Sequence, residues 1–192
     1  MSTLLEPCYK LGYVDKSGTE YPYHYENLWA RQKIKGTGCL VIAPSSRHIN
    51  LLLKLAAVMN EPYGLLYVLQ VPRNDIHPAG RYQCPEPISR VELGTFLRKF
   101  GNFLENDGRH HFWITAVDRS ALLVYDRHNV LYAYGLLEAF EAVCLRNNLK
   151  RIAEVSFPDP HVHHYNAEFD EQALGLMNYW LWKKYPLQDS DI

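Results

Sequence analysis

Three short runs of mostly apolar residues, 113–117, 122–125 and 130–134, follow one another, and in the first Trp113, Thr115 and Val117 alternate with Ile114 and Ala116. The runs are rich in β-branched and aromatic residues, which suit a pleated, half-buried surface. Polar residues separate them, and Asn129, just before the third run, tolerates the left-handed backbone that hairpin loops often need. The pattern predicts a three-stranded β-meander.

The period changes after Gly135. Apolar residues then recur at helical spacing from residue 136 to residue 144, so we expect an α-helix there. Residues 152–157 are again strand-like and predict a return to the sheet.

An earlier stretch, residues 39–71, has the same strand–helix–strand outline. The pattern predicts a strand at 39–43 and a helix at about 47–59, for which Ser46 is a suitable N-cap. Residues 64–71 form a continuous apolar run, which is typical of a central strand buried on both faces.

A second long helix is predicted to begin at Ser89 and to end near residues 106–108. Ser89 and Glu92 match a capping box, and Ile88 and Leu93 match a hydrophobic staple. The residues expected to share one core are Leu53, Leu66, Phe96, Leu97, Phe100, Val124, Leu131 and Phe140. The proline-rich stretch 72–88 before this helix is long for a connection, which indicates a functional loop or lid, or else a coil over the sheet edge.

Together these elements predict one α+β domain over residues 1–192, with a mixed β-sheet, a three-stranded meander and about four helices packed on it. Residues 9–35 form an aromatic-rich hairpin region, 36–157 the core, and 158–192 a histidine-rich loop followed by a C-terminal helix. In that last part Asp170 is expected to cap the helix, Lys183 and Lys184 to lie at its C-terminus, and the final five residues to fray.

Composition excludes few function classes. Hydrophobic residues make up 47% of the chain and charged residues 21%, as in ordinary globular proteins. Lys plus Arg number 20 and Asp plus Glu 21, a net charge of −1, so we expect no nucleic-acid partner. No apolar run has membrane-spanning length, no signal peptide is evident, and the four cysteines show no paired spacing; these features favour reduced thiols and a cytoplasmic location.

The densest group of candidate functional side chains lies at residues 159–170. It includes Asp159, His161, His163, His164 and Asp170. In an extended segment His161 and His163 project from one face and His164 from the other. A pair of histidines on one face can supply two ligands to zinc or another divalent transition metal. The alternative is a polar loop whose histidines bond to the backbone.

A metal would need a third ligand from elsewhere, and His128, His111 and Asp170 are the candidates. Arg127 and His128 of the predicted meander turn, together with Arg109, His110 and His111, form a basic end suited to an acidic partner, or simply a solvated turn. A weaker candidate is an anion site at Ser46, Arg47 and His48, because helix N-termini attract anions; its alternative is an ordinary cap.

The sequence contains no complete catalytic constellation. We therefore predict a cytosolic, non-catalytic interaction protein, such as an inhibitor, adaptor or regulatory module, with another protein as its partner. Neither a membrane nor a required cofactor is expected. The alternative is a small metal-dependent, hydrolase-like enzyme that uses the His161 and His163 cluster to hold zinc.

Overall fold

Most of the apolar runs become strands of two sheets in the computed structural model, which describes residues 8–191. The strands of this part of the chain are β1 (Leu11–Val14), β2 (Glu20–Pro22), β3 (Leu28–Ile34), β4 (Thr37–Ala43), β5 (Tyr63–Leu69), β6 (Gly80–Gln83), β7 (His110–Ala116), β8 (Leu122–Tyr125), β9 (Leu131–Tyr134), β10 (Lys150–Arg151), β11 (His161–His163) and β12 (Lys183–Tyr185). The large sheet has the order β10-β3-β4-β9-β8-β7-β5-β6-β12, and the small sheet has the order β11-β1-β2.

Neighbouring strands are antiparallel throughout, except for the short parallel pair of β10 and β3. The α-helices of the same residues are α1 (His48–Ala56), α2 (Arg90–Asn106), α3 (Leu137–Arg146) and α4 (Asp170–Met177). The fold is therefore a single α+β domain with a mixed sheet, as the sequence predicts.

The helices cover one face of the large sheet and bury the main core. Leu52 of α1, Phe96 of α2, Phe140 of α3 and Leu176 of α4 are all fully buried in it. Each such side chain contributes roughly 1.5–3 kcal/mol by leaving water. The small sheet lies on the other side, where a second cluster includes Leu11 of β1 and residues of β3 and β4. That second cluster joins the small sheet to the large one.

Two local predictions are confirmed. Strands β7, β8 and β9 form the meander, and Asn129 in its second turn has the left-handed φ of 61°. At the start of α2, the Ser89 hydroxyl accepts a hydrogen bond from the Glu92 N–H at 3.3 Å. The Glu92 carboxylate accepts one from the Ser89 N–H at 2.8 Å, which completes the capping box. Both features depend on residues close in sequence.

The predicted Ser46 cap is wrong. Arg47 is the N-cap of α1, with φ 57° and no side-chain cap. Instead, the Ile49 N–H donates to Glu105 Oε1 on α2 at 2.7 Å. A neighbouring helix therefore satisfies this free N–H, and nothing in the local sequence indicates it.

The core prediction is wrong for Leu66 and Val124. Tyr63, Leu65 and Tyr67 of β5 point into the helix-covered core, so Leu66, between them in a period of two, faces the other side. Val124 is buried, but it too lies outside that core. A continuously apolar strand has no polar positions to indicate which of its faces meets the helices.

The return strand predicted at 152–157 does not form. Only Lys150 and Arg151 form a ladder with β3, and the Ile152 N–H adds one further bond to Trp29. Beyond that point the Val155 N–H donates to the Gln32 side chain at 3.4 Å. Val155 packs into the second cluster instead of extending the large sheet.

The C-terminal region differs most from prediction. Asp170 is the first residue of α4 rather than its cap, and Lys183 and Lys184 lie in β12, not at a helix end. Strand β12 pairs with β6, and β6 itself lies within residues 72–88, which the sequence predicts to be a loop. Asp189–Asp191 do not fray, since they form a 3-10 turn with Asp191 buried, and Ile192 lies outside the described residues. The unpaired edge of β6 explains why this segment is ordered.

No helix within residues 8–191 has both the length and the apolar character needed to cross a membrane.

The four cysteines carry no disulfide, as expected. Burial raises the pKa of the Cys144 thiol to about 12, which makes it a poor nucleophile at neutral pH.

Candidate metal centre

The turn between β8 and β9 builds one side of the candidate site. Asp126 accepts hydrogen bonds through Oδ1 from the N–H groups of His128 at 2.9 Å and Val130 at 3.0 Å. Aspartate stabilises turns in this way by replacing backbone acceptors. Because Asn129 takes the left-handed conformation, the chain can reverse directly after His128. The backbone of His128 is thereby fixed.

The same aspartate orients the His128 ring. Its second oxygen, Oδ2, lies 2.7 Å from His128 Nδ1. Burial raises the pKa of Asp126, but the hydrogen bonds from His128 and from the Val130 N–H contribute to a net lowering, so the group is a carboxylate. A carboxylate only accepts, so in the neutral His128 ring Nδ1 carries the proton and the lone pair of Nε2 is free.

Strand β11 supplies the other side of the site. It pairs with β1 in the register Leu11↔His163 and Tyr13↔His161, which places both histidines on one face of the small sheet. His161 Nδ1 lies 3.0 Å from the Pro158 carbonyl oxygen. That oxygen accepts the Nδ1 proton, so Nε2 of His161 is also free as a ligand.

His163 is the half-buried member of the pair. Both of its ring nitrogens are buried without a hydrogen-bond partner. Burial, with the nearby charges of His128 and Arg127, lowers its pKa to about 3, so the ring is neutral at physiological pH. A buried imidazole with two unsatisfied nitrogens is costly, because such groups normally find a partner.

His128, His161 and His163 meet in what we call the histidine triad. One ring nitrogen from each lies within 4.8 Å of the others. The ring centroids are 5.2 Å apart for His128 and His161, 4.8 Å for His128 and His163, and 5.3 Å for His161 and His163. Zinc–nitrogen bonds of about 2.0–2.1 Å at tetrahedral angles would place three imidazole centroids about 5 Å apart. The observed spacing fits that arrangement.

The remaining predicted residues of the segment lie outside the triad. His164 points the other way, where it contacts the Glu20 carboxylate and its ring lies tilted against that of Tyr9, with 4.3 Å between the ring centroids. Asp159 is exposed. Arg127 lies in the turn beside the triad, and its charge helps to lower the pKa of His163. The alternation of side chains along the strand therefore correctly predicts that His164 faces away from His161 and His163.

Of the three candidates for a third ligand, the structure brings only His128 to the pair. Asp170 forms an ion pair with Arg73 instead. His111 is not part of the triad either; its Nε2 is buried without a partner, and burial lowers its pKa to about 4.

The predicted anion site does not assemble as a unit. His48 is buried and stacks on Tyr125 at 5.7 Å, while Ser46 and Arg47 are exposed. Burial lowers the pKa of His48 to about 3, so this ring adds no positive charge at neutral pH.

Sequence reasoning missed Asp126 as the group that orients His128. The spacing Asp-x-His within a turn was the available signal, because an aspartate in such turns bonds to the backbone two residues on. It also did not predict that Arg73, Asp107 and Arg109 share a buried ion-pair cluster. No short-range pattern connects these three residues.

Comparisons with protein-family models, curated proteins and solved structures gave no match to this chain.

Proposed function

We propose that this protein binds one divalent transition metal, with zinc as the first candidate, at the histidine triad. The observation that carries the proposal is the convergence of three imidazoles at tetrahedral spacing, two of them with Nδ1 already committed to an acceptor. Histidine ligands in zinc sites commonly donate their second nitrogen to a carboxylate or a backbone carbonyl, as here.

A bound metal would join the two sheets. His161 and His163 belong to the small sheet, whereas His128 belongs to a turn of the large one. The metal would also supply the missing partner of a buried His163 nitrogen. Its role is then to hold the small sheet in place, and binding energy of this kind adds directly to folding stability.

The small sheet carries an aromatic surface suited to a protein partner. Tyr13 of β1 and Tyr21 of β2 lie side by side at 5.5 Å between ring centroids, and they are 36% and 43% exposed. Tyrosine is enriched among the residues that dominate protein interfaces. The function we propose is therefore that of a non-catalytic interaction module whose tyrosine surface is positioned by the metal.

A second candidate function is a metal-dependent hydrolase. The observation that favours it is the number of ligands: within residues 8–191 the triad offers three, and no fourth His, Cys, Asp or Glu joins it. Zinc held by three histidines keeps an open position for water, whose pKa the metal lowers.

Zinc titration calorimetry tests the proposal. Wild-type protein should bind one zinc per chain, and His163→Ala should bind it at least about 100-fold more weakly. His164→Ala is the matched control, because this neighbouring histidine projects from the opposite face and should leave zinc affinity unchanged. Equal zinc affinity in wild type and His163→Ala would show that the triad does not bind the metal.

A hydrolysis assay separates the two candidate functions. Zinc-loaded wild type and His163→Ala are compared on 4-nitrophenyl acetate, an activated ester. Equal, near-background rates support the interaction module. A zinc-dependent rate that His163→Ala loses would favour the hydrolase.

A further inference from the structure

A pocket with about 530 Å³ of empty space, part of it open to solvent, lies between the loop that follows β5 and helix α4. The first half of the proline-rich stretch lines it through Arg73, Asn74 and His77. None of the histidine triad takes part in it. We call it the arginine pocket, because Arg73 and Arg109 form its charged end.

The two arginines are engaged to different degrees. Arg73 donates to Asp107 Oδ2 at 2.5 Å and to the Asn166 carbonyl at 3.0 Å, and it also pairs with Asp170. Arg109 donates from Nη1 to the Pro72 carbonyl at 3.3 Å. Its Nε lies 3.8 Å from Asp107 Oδ1, and the Nε atoms of both arginines are buried without a hydrogen-bond partner. Arg109 makes one side-chain hydrogen bond where Arg73 makes two and a further ion pair, so Arg109 keeps more capacity for an incoming acceptor.

The two acids near the arginines both lie closer to Arg73 than to Arg109. Asp107 is fully buried and lies 2.5 Å from Arg73 but 3.8 Å from Arg109 Nε, and Asp170 pairs with Arg73. The two arginines and two carboxylates sum to zero charge, but Arg109 has the weaker ion pair. An anion in the pocket would therefore meet the less compensated cation at Arg109.

Apolar side chains form another part of the pocket wall. Leu69 of β5, Phe103 of α2 and Met177 of α4 line it, and each is buried. Small-molecule sites typically combine such walls with a few polar groups at one end. A ligand that fits both parts has an acidic head and a short apolar body.

We infer that the arginine pocket binds a small organic carboxylate, with its carboxylate against the Arg109 guanidinium and its apolar body against Phe103, Leu69 and Met177. Guanidinium and carboxylate match in shape and form charge-assisted hydrogen bonds. This inference does not depend on the proposed metal function.

A pair of matched probes tests it: 4-phenylbutyrate and the corresponding alcohol, 4-phenylbutan-1-ol. Both are titrated into isotope-labelled protein, and amide chemical shifts report affinity and location. The acid should bind at least about tenfold more tightly than the alcohol, with shifts at residues of the pocket. Arg109→Gln should remove this preference, and Arg98→Gln, an exposed arginine of α2, should not.

A second variant guards against a folding defect in Arg109→Gln. Leu174→Trp enlarges a partly exposed residue at the pocket wall, retains both arginines, and should block the acid by filling the space. The inference is overturned if the acid gives no saturable shifts at millimolar concentration. It is equally overturned if acid and alcohol bind alike, or if a folded Leu174→Trp binds the acid as wild type does.

Discussion

The two ends of residues 161–170 are built in opposite ways. At the C-terminal end the buried Asp107 carboxylate, outside this segment, accepts hydrogen bonds from Arg73 at 2.5 Å and from the N–H groups of Arg109 and Asn166 at 3.1 Å each. At the N-terminal end, both ring nitrogens of His163 are buried with no hydrogen-bond partner. The Asp107 carboxylate is satisfied by the protein's own groups, whereas the ring nitrogens of His163 have no partner.

This difference separates structural polar clusters from ligand sites. A buried carboxylate whose oxygens already accept hydrogen bonds from the protein, as in Asp107, gives a fixed structure and leaves no capacity for a metal. Buried ligand atoms that converge without bonding to one another retain that capacity. We therefore expect the Asp107 end to determine stability without metal, and the triad end to affect stability only when metal is present.

The largest effect is expected at Asp107. Asp107→Asn leaves two buried arginines without their shared counter-charge, so the free energy of unfolding should fall by about 3–5 kcal/mol. Urea unfolding measures this loss, which should be the same with and without zinc. A loss below about 1 kcal/mol would show that the cluster is not the structural end of the segment.

The next effect is expected at His163. Zinc at 100 times its dissociation constant should stabilise wild type by about 2.7 kcal/mol. His163→Ala should lose that increment and change stability little in a chelator, because it removes nitrogens that have no partner. Thermal or urea unfolding with zinc and with chelator gives both values. Unchanged stabilisation by zinc in the variant would contradict the comparison.

Asp126 tests the orientation of His128. Asp126→Asn keeps an oxygen for the turn but removes the charge that fixes the Nδ1 proton. Zinc affinity should fall about 10–100-fold, which corresponds to about 1.4–2.7 kcal/mol. Competition with a zinc-binding dye is the measurement, and an unchanged dissociation constant would show that Asp126 serves the turn alone.

The pH dependence of protein stability tests His48, a buried histidine that lies outside both ends of residues 161–170. The folded pKa of His48 is about 3, below its ordinary value of 6.5. Between these values the unfolded chain binds a proton that the folded chain does not, so stability falls as pH is lowered, by about 1.4 kcal/mol per pH unit. Without metal, His48→Phe should reduce the slope of the free energy of unfolding against pH by the contribution of one proton. A profile parallel to that of wild type would contradict the assignment.

The smallest effect is expected at Ser89, which lies far from both ends in sequence. Ser89→Ala removes a helix cap and should cost about 1 kcal/mol. Chemical unfolding should give the same loss with and without zinc, so this variant serves as a reference. A zinc-dependent loss would indicate that metal stabilises the whole domain in a less local way than we propose.

The sequence predicts those parts of the fold that depend on close neighbours. The meander, the capping box and the left-handed Asn129 are all encoded within a few residues, and all are confirmed. The faces of Leu66 and Val124, the cap of α1 by Glu105, and the pairing of β12 with β6 depend on distant residues. Local pattern cannot specify them.

The candidate site shows the same division. Alternation along β11 places His161 and His163 on one face, and this could be read from sequence. The choice of His128 over His111 and Asp170 required the small sheet to lie against the β8–β9 turn, which tertiary packing decides. Arg73 and Arg109 meet only because two loops at one end of the large sheet converge on Asp107.

A crystal structure of zinc-loaded protein, with anomalous data collected on both sides of the zinc absorption edge, tests the metal centre most directly. We expect one anomalous peak about 2.0–2.1 Å from the Nε2 atoms of His128 and His161 and from one ring nitrogen of His163. The Asp126 contact to His128 Nδ1 should be retained. No peak at the triad from a fully zinc-titrated crystal, or a peak ligated by other residues, would contradict the account.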